Sequence, residues 1–266
     1  MAVLAAAGCS SARLAWADGE AASAGAADLA ASTVQQVAPP PPDQIPEIDP
    51  LALYGDELVF DIYRKKSKIG QHRVNFERDG ERLTVSVEMR LGVDFMFFRA
   101  YEFEYDATEI WQGRELIAST SYVDDNGKKV TVSARADGDV FKIDGPRGAT
   151  LASSWVFPTN HWHRGQVNSR IILNTINGRL TRVEPVAKGI DRVATLQGDV
   201  DAEHFLYTGE LRDTEVWYDA AGRWVKMAFK AKDGSTIEYR CRQCGLASQQ
   251  GQAVAESIEP QPTSSP

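Results

Sequence analysis

Two short segments hold the residues whose types and spacing are suited to chemistry. In the segment PTNHWHRG, His161 and His163 flank Trp162. If this segment is a strand, the spacing of two places both imidazoles on one face, where they could bind one zinc or copper ion. The second segment, CRQC, begins at Cys241 and ends at Cys244, which is the spacing of many redox or metal-binding cysteine pairs.

The histidine pair could serve a metal-dependent hydrolase or have a purely structural role. A tetrahedral zinc site needs further ligands, and the sequence offers only distant ones, such as His72, His204 and the carboxylates. Pro158 and Gly165 indicate an irregular corner, in which side-chain direction does not follow from spacing. In the structural interpretation, which we favour, Trp162 buries its ring and the histidines lie half-exposed beside it. We therefore expect neither a metal nor another cofactor.

The cysteine pair predicts a local disulfide between Cys241 and Cys244 if the protein is exported. A thioredoxin-like redox motif begins a helix inside a βαβ unit, whereas CRQC follows the strand-like segment STIEYR. An oxidising compartment favours a disulfide at this position. Because the closed loop is short, we expect it to stabilise the fold by about 2 kcal/mol or less.

No other catalytic signature is present. The sequence lacks G-x-S-x-G, H-E-x-x-H, the P-loop and the dinucleotide fingerprint. The acidic residues Glu102, Glu104 and Asp106 could supply an acid and a base, but they alternate with aromatic residues as the wet face of a strand does. The sequence favours a non-enzymatic protein and leaves an enzyme as the alternative.

Alternation of apolar and polar residues is the dominant pattern between residues 52 and 245. In ERLTVSVEMRL every second residue from Leu83 to Leu91 is apolar, as in a strand with one buried face. Asn-Gly and Asp-Gly pairs between such runs are typical of tight hairpins. We predict an all-β fold, a single antiparallel, strongly curved sheet or open or half barrel of about ten to twelve strands with little helix. A weak helical window lies between Trp155 and Leu173.

The segment FMFFRAYEFEY is apolar on both faces over its first half. Such a strand must be covered on both faces, or it must line a cavity that an apolar molecule such as an acyl chain fills. Plain core packing beneath residues 155–162 is the other interpretation, and we favour it. If a ligand is bound, the residues expected to contact it are Phe97, Tyr101, Phe103 and Trp162.

The two ends of the chain differ from its middle. Residues 1–17 are almost all small or apolar, and Ala15-Trp16-Ala17 fits the cleavage pattern of a secretory signal. Alternatively, AGCS resembles a lipobox in which Cys9 is acylated. Residues 18–51, rich in Ala, Ser and Pro, and the tail 246–266 predict disordered segments. We expect an exported protein, periplasmic or associated with the outer membrane, that touches a membrane only through a lipid anchor at Cys9.

The charge of the chain limits its partners. The net charge is −8 and no block of basic residues occurs, which argues against nucleic-acid binding. Lipids or other apolar small molecules are the expected partners.

Several segments in their order resemble a known bacterial family. These segments are KIGQHRVNFE (residues 68–77), EIWQGRELIASTSYVDDNGKKVTVSA (109–134), PTNHW (158–162) and ILNTINGRL (172–180). Together they are similar to the family called Domain of Unknown Function 6134. The resemblance implies an exported antiparallel β protein of the bacterial envelope, distantly similar to lipoprotein-carrier-like open barrels, and it implies no catalytic activity. The CRQC pair is not part of the pattern.

Three hypotheses of function follow. The first is a non-enzymatic envelope protein that binds an apolar ligand or lipid or supports envelope assembly. The second is a metal-dependent hydrolase centred on His161 and His163. The third is a structural module that binds other proteins through a sheet edge.

Overall fold

The computed structural model describes residues 34–35, 48–95 and 98–245. Their strands are β1 (Val34–Gln35), β2 (Glu57–Arg64), β3 (Ser67–Asp79), β4 (Arg82–Phe95), β5 (Phe98–Gln112), β6 (Glu115–Asp125), β7 (Lys128–Asp137), β8 (Val140–Gly145), β9 (Gly148–Ala152), β10 (Phe157–Pro158), β11 (Ile171–Asn174), β12 (Arg179–Thr195), β13 (Gly198–Gly209), β14 (Thr214–Asp219), β15 (Trp224–Lys230) and β16 (Thr236–Gln243). The helices are α1 (Pro50–Tyr54) and a 3-10 helix at Arg164–Asn168. The predicted all-β class is confirmed.

One open, curled sheet contains all of these strands. Neighbours in the sheet are mostly neighbours in the chain, from β9 back to β2 and from β16 back to β10. The two series meet where β2 pairs with β16, antiparallel, with Arg64 opposite Ile237. At the outer edges, β1 and β10 form short parallel pairs with β9 and β11. The central join therefore unites strands from opposite ends of the folded region.

The strands follow the alternation in the sequence. Along β5 every second side chain from Tyr101 to Trp111 is buried, and β3 alternates in the same way through Val74 and Phe76. The hairpin between β6 and β7 turns at Asn126 and Gly127, which have φ angles of 52° and 92°. Such angles are those that a tight two-residue hairpin requires.

The predicted count of about ten to twelve strands was wrong, since fifteen lie between Glu57 and Gln243. Part of the shortfall comes from treating FMFFRAYEFEY as one strand. The chain reverses inside it, and Phe95 pairs with Phe98 across the β4–β5 hairpin. No Gly, Asn, Asp or Pro marks this reversal. Short strands such as β10 and β11 offer too few residues for a period of two to be recognised.

Residues 155–169, which include the short edge strand β10, fold into the interior of the curled sheet, and we call them the interior segment. Every residue from Val156 to His163 is buried. The helical window predicted here contains only the five-residue 3-10 helix. The interior segment packs in the main hydrophobic cluster with side chains from most strands. It fills the space that a curled sheet of this size would otherwise leave open.

The β12–β13 hairpin covers part of the outer face of the sheet. On the turn side of Ala202, residues 192–195 and 198–201 pair only with each other. This end of the hairpin lies across β14 and β15. A second, smaller cluster forms there, consisting of Val193, Ala202, Trp217, Val225 and Ala228. This cover explains why strands β14 and β15 are apolar on both faces.

The predicted boundaries of the domain meet the structure at two places. Asp49, assigned to the leader, caps α1, and Pro50 begins it, so the boundary predicted at residue 52 falls inside this helix. The segments 1–17 and 246–266, and most of 18–51, lie outside the described residues. In the part of the chain that the structure describes, no helix combines the length and the apolar character needed to cross a membrane.

Candidate functional site

A buried carboxylate on β5 connects the sheet to the interior segment. Glu109 has no exposed surface. It accepts hydrogen bonds from the indole Nε1 atoms of Trp111 and Trp162, each at 2.9 Å, and a further one from the amide of Asn160. Burial raises the pKa of Glu109, and these three donors offset part of that rise. A buried acceptor with three donors is costly to remove, because each donor would lose its partner.

A second set of hydrogen bonds continues from this carboxylate. The hydroxyl of Tyr105 donates to Asn160 Oδ1 at 2.8 Å and lies 2.7 Å from Thr175 Oγ1. Thr175 Oγ1 is also 3.1 Å from Thr159 Oγ1. The backbone carbonyl of Thr175 accepts a hydrogen bond from the hydroxyl of Ser121. The interior segment is thus joined to β5, to β6 and to the turn after β11.

Two tyrosines hold the backbone of the interior segment. Tyr54 of α1 donates to the carbonyl of Trp162 at 2.8 Å, and Tyr218 of β14 donates to the carbonyl of His161 at 2.9 Å. The hydroxyl of Tyr54 also accepts from the backbone N–H of Trp224 at 3.0 Å. Buried carbonyls need hydrogen-bond partners. The two tyrosines supply them for the carbonyls of His161 and Trp162, which have no partner in a neighbouring strand in the described part of the chain.

The structure places His161 and His163 differently from our expectation. Both are buried, at 3% and 6% exposure, rather than half-exposed. His163 stacks on Trp111 and its Nδ1 accepts from the backbone N–H of Gly165. The ring of His161 instead neighbours Tyr207 and Trp224. The two rings share no aromatic neighbour, because the backbone between them is not a strand and His161 has a left-handed φ of 52°.

His161 faces a small internal cavity together with a histidine from the sheet. The cavity has a volume of about 10 Å³ and is lined by His72, Met89, Tyr105, Thr159, Asn160, His161, Thr175, Ile176, Trp224, Met227 and Tyr239. Neither ring nitrogen of His72 or of His161 has a hydrogen-bond partner among the described residues. Burial lowers the pKa of His72 to about 3 and that of His161 to about 4. Gln166, near His161 but outside hydrogen-bond geometry, offsets part of the second shift.

No conventional metal centre forms in the described ranges. Histidine, cysteine, aspartate and glutamate side chains nowhere come together there in groups of three that could hold a metal ion. His204 lies near the carboxylates of Asp191 and Glu215 and stacks on Trp217, far from the cavity lining. His161 and His163, the pair on which the hydrolase hypothesis was centred, therefore do not face a common point, and no group of three such side chains includes them among these residues.

The residues predicted to contact an apolar ligand lie in packed core. Tyr101, Phe103 and Trp162 are each 2% exposed, and none of them lines the internal cavity. Tyr101 donates from its hydroxyl to Asp125 at the sheet margin. Phe97 lies outside the described residues, as does Cys9. Tyr101, Phe103 and Trp162 belong to the main hydrophobic cluster, as the core-packing interpretation expects.

The sulfur atoms of Cys241 and Cys244 are bonded in the structure. Both residues are fully buried. The turn of the β12–β13 hairpin lies over them, with Leu196 N donating to the carbonyl of Cys241 and Gln197 Oε1 accepting from Cys244 N, both at 2.9 Å. The disulfide therefore fixes the end of β16 beneath this hairpin.

The end of the β4–β5 hairpin extends past the residues that pair with the strands on either side of it. The pairing of β4 with β3 ends at Leu91, and the pairing of β5 with β6 begins at Phe103. Residues 92–95 and 98–101 find strand partners, among the described residues, only in each other. Phe98, at the end of this arm, is 58% exposed. We call residues 92–95 and 98–101 the hairpin arm.

Reasoning from the sequence missed Glu109 and considered His72 only as a distant metal ligand. Each occupies an inward position of a strand whose other inward residues are apolar: Glu109 lies between Ala107 and Trp111, and His72 precedes Val74. A polar residue at such a position of a strand is a recognisable signal, because burying it requires a partner.

Comparison with known proteins gives a family and a fold. The family model described as Domain of unknown function (DUF6134) matches residues 60–242. Among solved structures, the β-barrel-like protein of domain of unknown function DUF1849 from Brucella abortus is similar, with a TM-score of 0.51 and 10% identity over 72% of this chain and 97% of that chain. At this identity the likeness shows the fold alone. A search of curated proteins gives no match.

The family match spans the strands and the interior segment that together build the Glu109 network and the cavity beside it. Since the match includes more than half of the sequence, the chain belongs to the DUF6134 family.

Proposed function

We propose that this protein is a non-enzymatic, exported protein of the bacterial envelope that binds lipid, and that it does so through the hairpin arm. The observation that carries the proposal is the exposure of Phe98, 58%, at the end of a hairpin that is longer than the strands beside it. A large exposed aromatic side chain at the end of a hairpin is suited to insertion at a lipid interface.

The arm has the composition of an interfacial element. The sequence from Phe95 to Phe98 contains no polar residue, and directly behind it Arg99 forms an ion pair with Asp94 at 2.7 Å. An apolar end with a charged pair behind it would place the aromatic ring in the acyl region and the charges at the headgroups. Because the net charge is −8, we expect the arm to favour zwitterionic over anionic lipid.

The interior offers less to an apolar ligand. The interior segment occupies the space inside the curled sheet, and the cavity beside it measures about 10 Å³. This is about the volume that one water molecule needs. An acyl chain does not fit in this volume. The arm therefore supports the lipid hypothesis better than the core does.

The test is binding to phosphatidylcholine vesicles by flotation, with Cys9→Ser in every variant so that no lipid anchor contributes. Phe98→Ser should weaken vesicle binding by about tenfold or more, because a buried phenyl ring contributes about 1.5–3 kcal/mol. Ile190→Ser is the matched control, since Ile190 is 73% exposed on the distant β12–β13 hairpin. It should bind like the parent chain.

Two results would remove the proposal. One is the absence of vesicle binding by the parent chain, and the other is equal loss in the Phe98 and Ile190 variants. Compartment needs its own measurement, a mass spectrum of the mature protein from its native cell. Export predicts a chain that begins after residue 17 or at an acylated Cys9, and a full-length chain would contradict it.

A further inference from the structure

We propose that the internal cavity is a binding site for a cuprous ion, held by the imidazoles of His72 and His161 and the thioether of Met89. The proposal is independent of lipid binding by the hairpin arm, since the cavity and the arm share no residue. It begins from two histidines that are buried and have no hydrogen-bond partner among the described residues.

Strand register brings two of the three ligands together. His72 on β3 lies directly opposite Met89 on β4, and both side chains face the interior. Residues opposite each other on antiparallel strands have Cβ atoms about 4.5–5.5 Å apart, so one ion can reach both side chains. The hydroxyl of Tyr239 donates to the sulfur of Met89 at 2.9 Å. This bond orients the thioether while leaving it a second lone pair.

The third ligand comes from the interior segment. His161 lines the same cavity as His72 and Met89, and its ring packs 5.7 Å from that of Trp224, which also neighbours His72. Its φ of 52° is rare for a residue other than glycine. The bond from Tyr218 to its carbonyl helps to maintain this backbone. A strained residue that directs an unpartnered side chain into a cavity indicates a functional constraint.

The donor set selects the metal. Two neutral imidazoles and a thioether match copper(I), because soft sulfur ligands prefer it and imidazole binds it well. Zinc prefers four ligands that include thiolate, imidazole or carboxylate, and no carboxylate or cysteine lines this cavity.

The alternative occupant of the cavity is an ordered water molecule. A cavity of about 10 Å³ is just large enough for one, and a water bridging two imidazoles would satisfy them. The two occupants differ in their dependence on Met89, because a thioether is a weak hydrogen-bond acceptor and contributes little to holding water.

The experiment measures copper(I) affinity by competition with a colorimetric copper(I) chelator under argon. All chains carry Cys9→Ser, and a thiol titration verifies that Cys241 and Cys244 remain oxidised, so that no cysteine binds the metal. Copper(I) is added both to the folded chain and during refolding from urea, because the three proposed ligands are buried. We expect one copper(I) ion per chain in at least the refolded sample, with sulfur and nitrogen neighbours in its X-ray absorption spectrum.

Variants distinguish copper(I) binding at this site from non-specific copper(I) binding elsewhere on the chain. Met89→Leu keeps the volume of the side chain and removes the sulfur, and His72→Leu removes one imidazole. Each should weaken copper(I) binding at least tenfold while circular dichroism shows the same strand content. His204→Asn is the matched control, because it removes a histidine outside the cavity, and its affinity should stay within twofold of the parent chain.

Several results would overturn the site. These are no stoichiometric copper(I) in either sample, unchanged affinity in Met89→Leu or His72→Leu, or a spectrum that lacks sulfur. Zinc binding as tight as copper(I) binding would also contradict it, since the thioether would then not be a ligand. If the two leucine variants do not fold, the sulfur signal of the parent chain still decides.

Discussion

The carboxylate of Glu109 accepts a hydrogen bond from the indole of Trp162 at 2.9 Å, although the two residues are 53 positions apart in the chain. This bond joins EIWQ of β5 to PTNHW of the interior segment. The segment PTNHWHRG, whose histidines suggested a metal, therefore serves first to anchor an irregular stretch of chain inside the sheet.

Replacing Glu109 should weaken the fold severely. Glu109→Ala leaves the donors of Trp111, Trp162 and Asn160 without an acceptor, and we expect a loss of about 3–5 kcal/mol in the free energy of unfolding. Urea unfolding followed by tryptophan fluorescence measures it. Glu102→Ala, on the exposed face of the same strand, should change stability by less than about 0.5 kcal/mol. Equal losses in the two variants would contradict the anchoring role.

Phe103 and Phe98, both on β5, should respond differently to a charge. Phe103 is 2% exposed and Phe98 is 58% exposed. Phe103→Asp buries an unpaired carboxylate and should cost about 4 kcal/mol or more. Phe98→Asp should cost under about 1 kcal/mol, because water still reaches the new side chain. Thermal unfolding of both variants compares them, and a stable Phe103→Asp protein would refute the inward orientation of this strand.

Stability should fall as the pH drops below the ordinary pKa of histidine. Burial lowers the pKa of His72 and His163 to about 3 and that of His161 to about 4, from 6.5. Below pH 6.5 the unfolded chain binds protons that the folded chain refuses, so stability is complete above that value and is lost toward pH 4. Each histidine contributes up to about 1.4 kcal/mol per pH unit in this window.

The contribution of Glu109 to the pH dependence of stability has the opposite sign. Its pKa is raised by burial, so its contribution to stability is present below the ordinary value of 4.5 and is lost as the pH rises through the folded pKa. Three histidines outweigh it between about pH 5 and 6.5. Urea unfolding at several pH values measures the slope. His163→Gln should lower that slope by one proton, and an unchanged slope would show that His163 is not buried in neutral form.

Removing both histidines of PTNHWHRG should lower the melting temperature of the metal-free protein. His161→Ala with His163→Ala deletes two buried rings, one of which stacks on Trp111. We expect a loss of several kcal/mol from the cavities left behind. Calorimetry of the parent chain and the double variant, both prepared free of metal, measures the difference. Equal melting temperatures would contradict the burial of the two rings.

The disulfide should contribute modestly to global stability and strongly to local order. Closing a loop of four residues is worth about 2 kcal/mol in the chain-entropy model. The double variant Cys241→Ala with Cys244→Ala should lose about that much in urea unfolding. Hydrogen exchange at Leu196 should increase more, since its N–H is bonded to the carbonyl of Cys241. Protection at Leu196 equal to that of the parent chain would contradict this coupling.

The fold was predictable because alternation is a local signal. The inward residues of β3, β4 and β5 follow directly from a period of two, and turn pairs such as Asn126-Gly127 mark several hairpins. The reversal between Phe95 and Phe98 was missed since no turn residue stands there. Family membership was also predictable, from the order of short segments rather than from any one of them.

The candidate site was harder to predict because its partners come from distant parts of the chain. His161 and His163 are two residues apart, yet their surroundings differ completely. His72 lies far away in sequence and faces the same cavity as His161. Only the path of the interior segment decides these neighbours, and an irregular segment has no periodicity from which that path could be inferred.

The central pairing of β2 with β16 has a consequence for how the chain reaches its native state. During synthesis β2 emerges early and must wait for Thr236–Gln243 before its second edge is satisfied. Pairing of strands so far apart in the sequence is slow, because the chain between them loses much conformational entropy before the contact forms. Until then β2 and β15 present unpaired edges that invite association between chains. A chain that ends before β16 therefore lacks the strand that joins β2 to β15, and its two half-sheets stay unconnected.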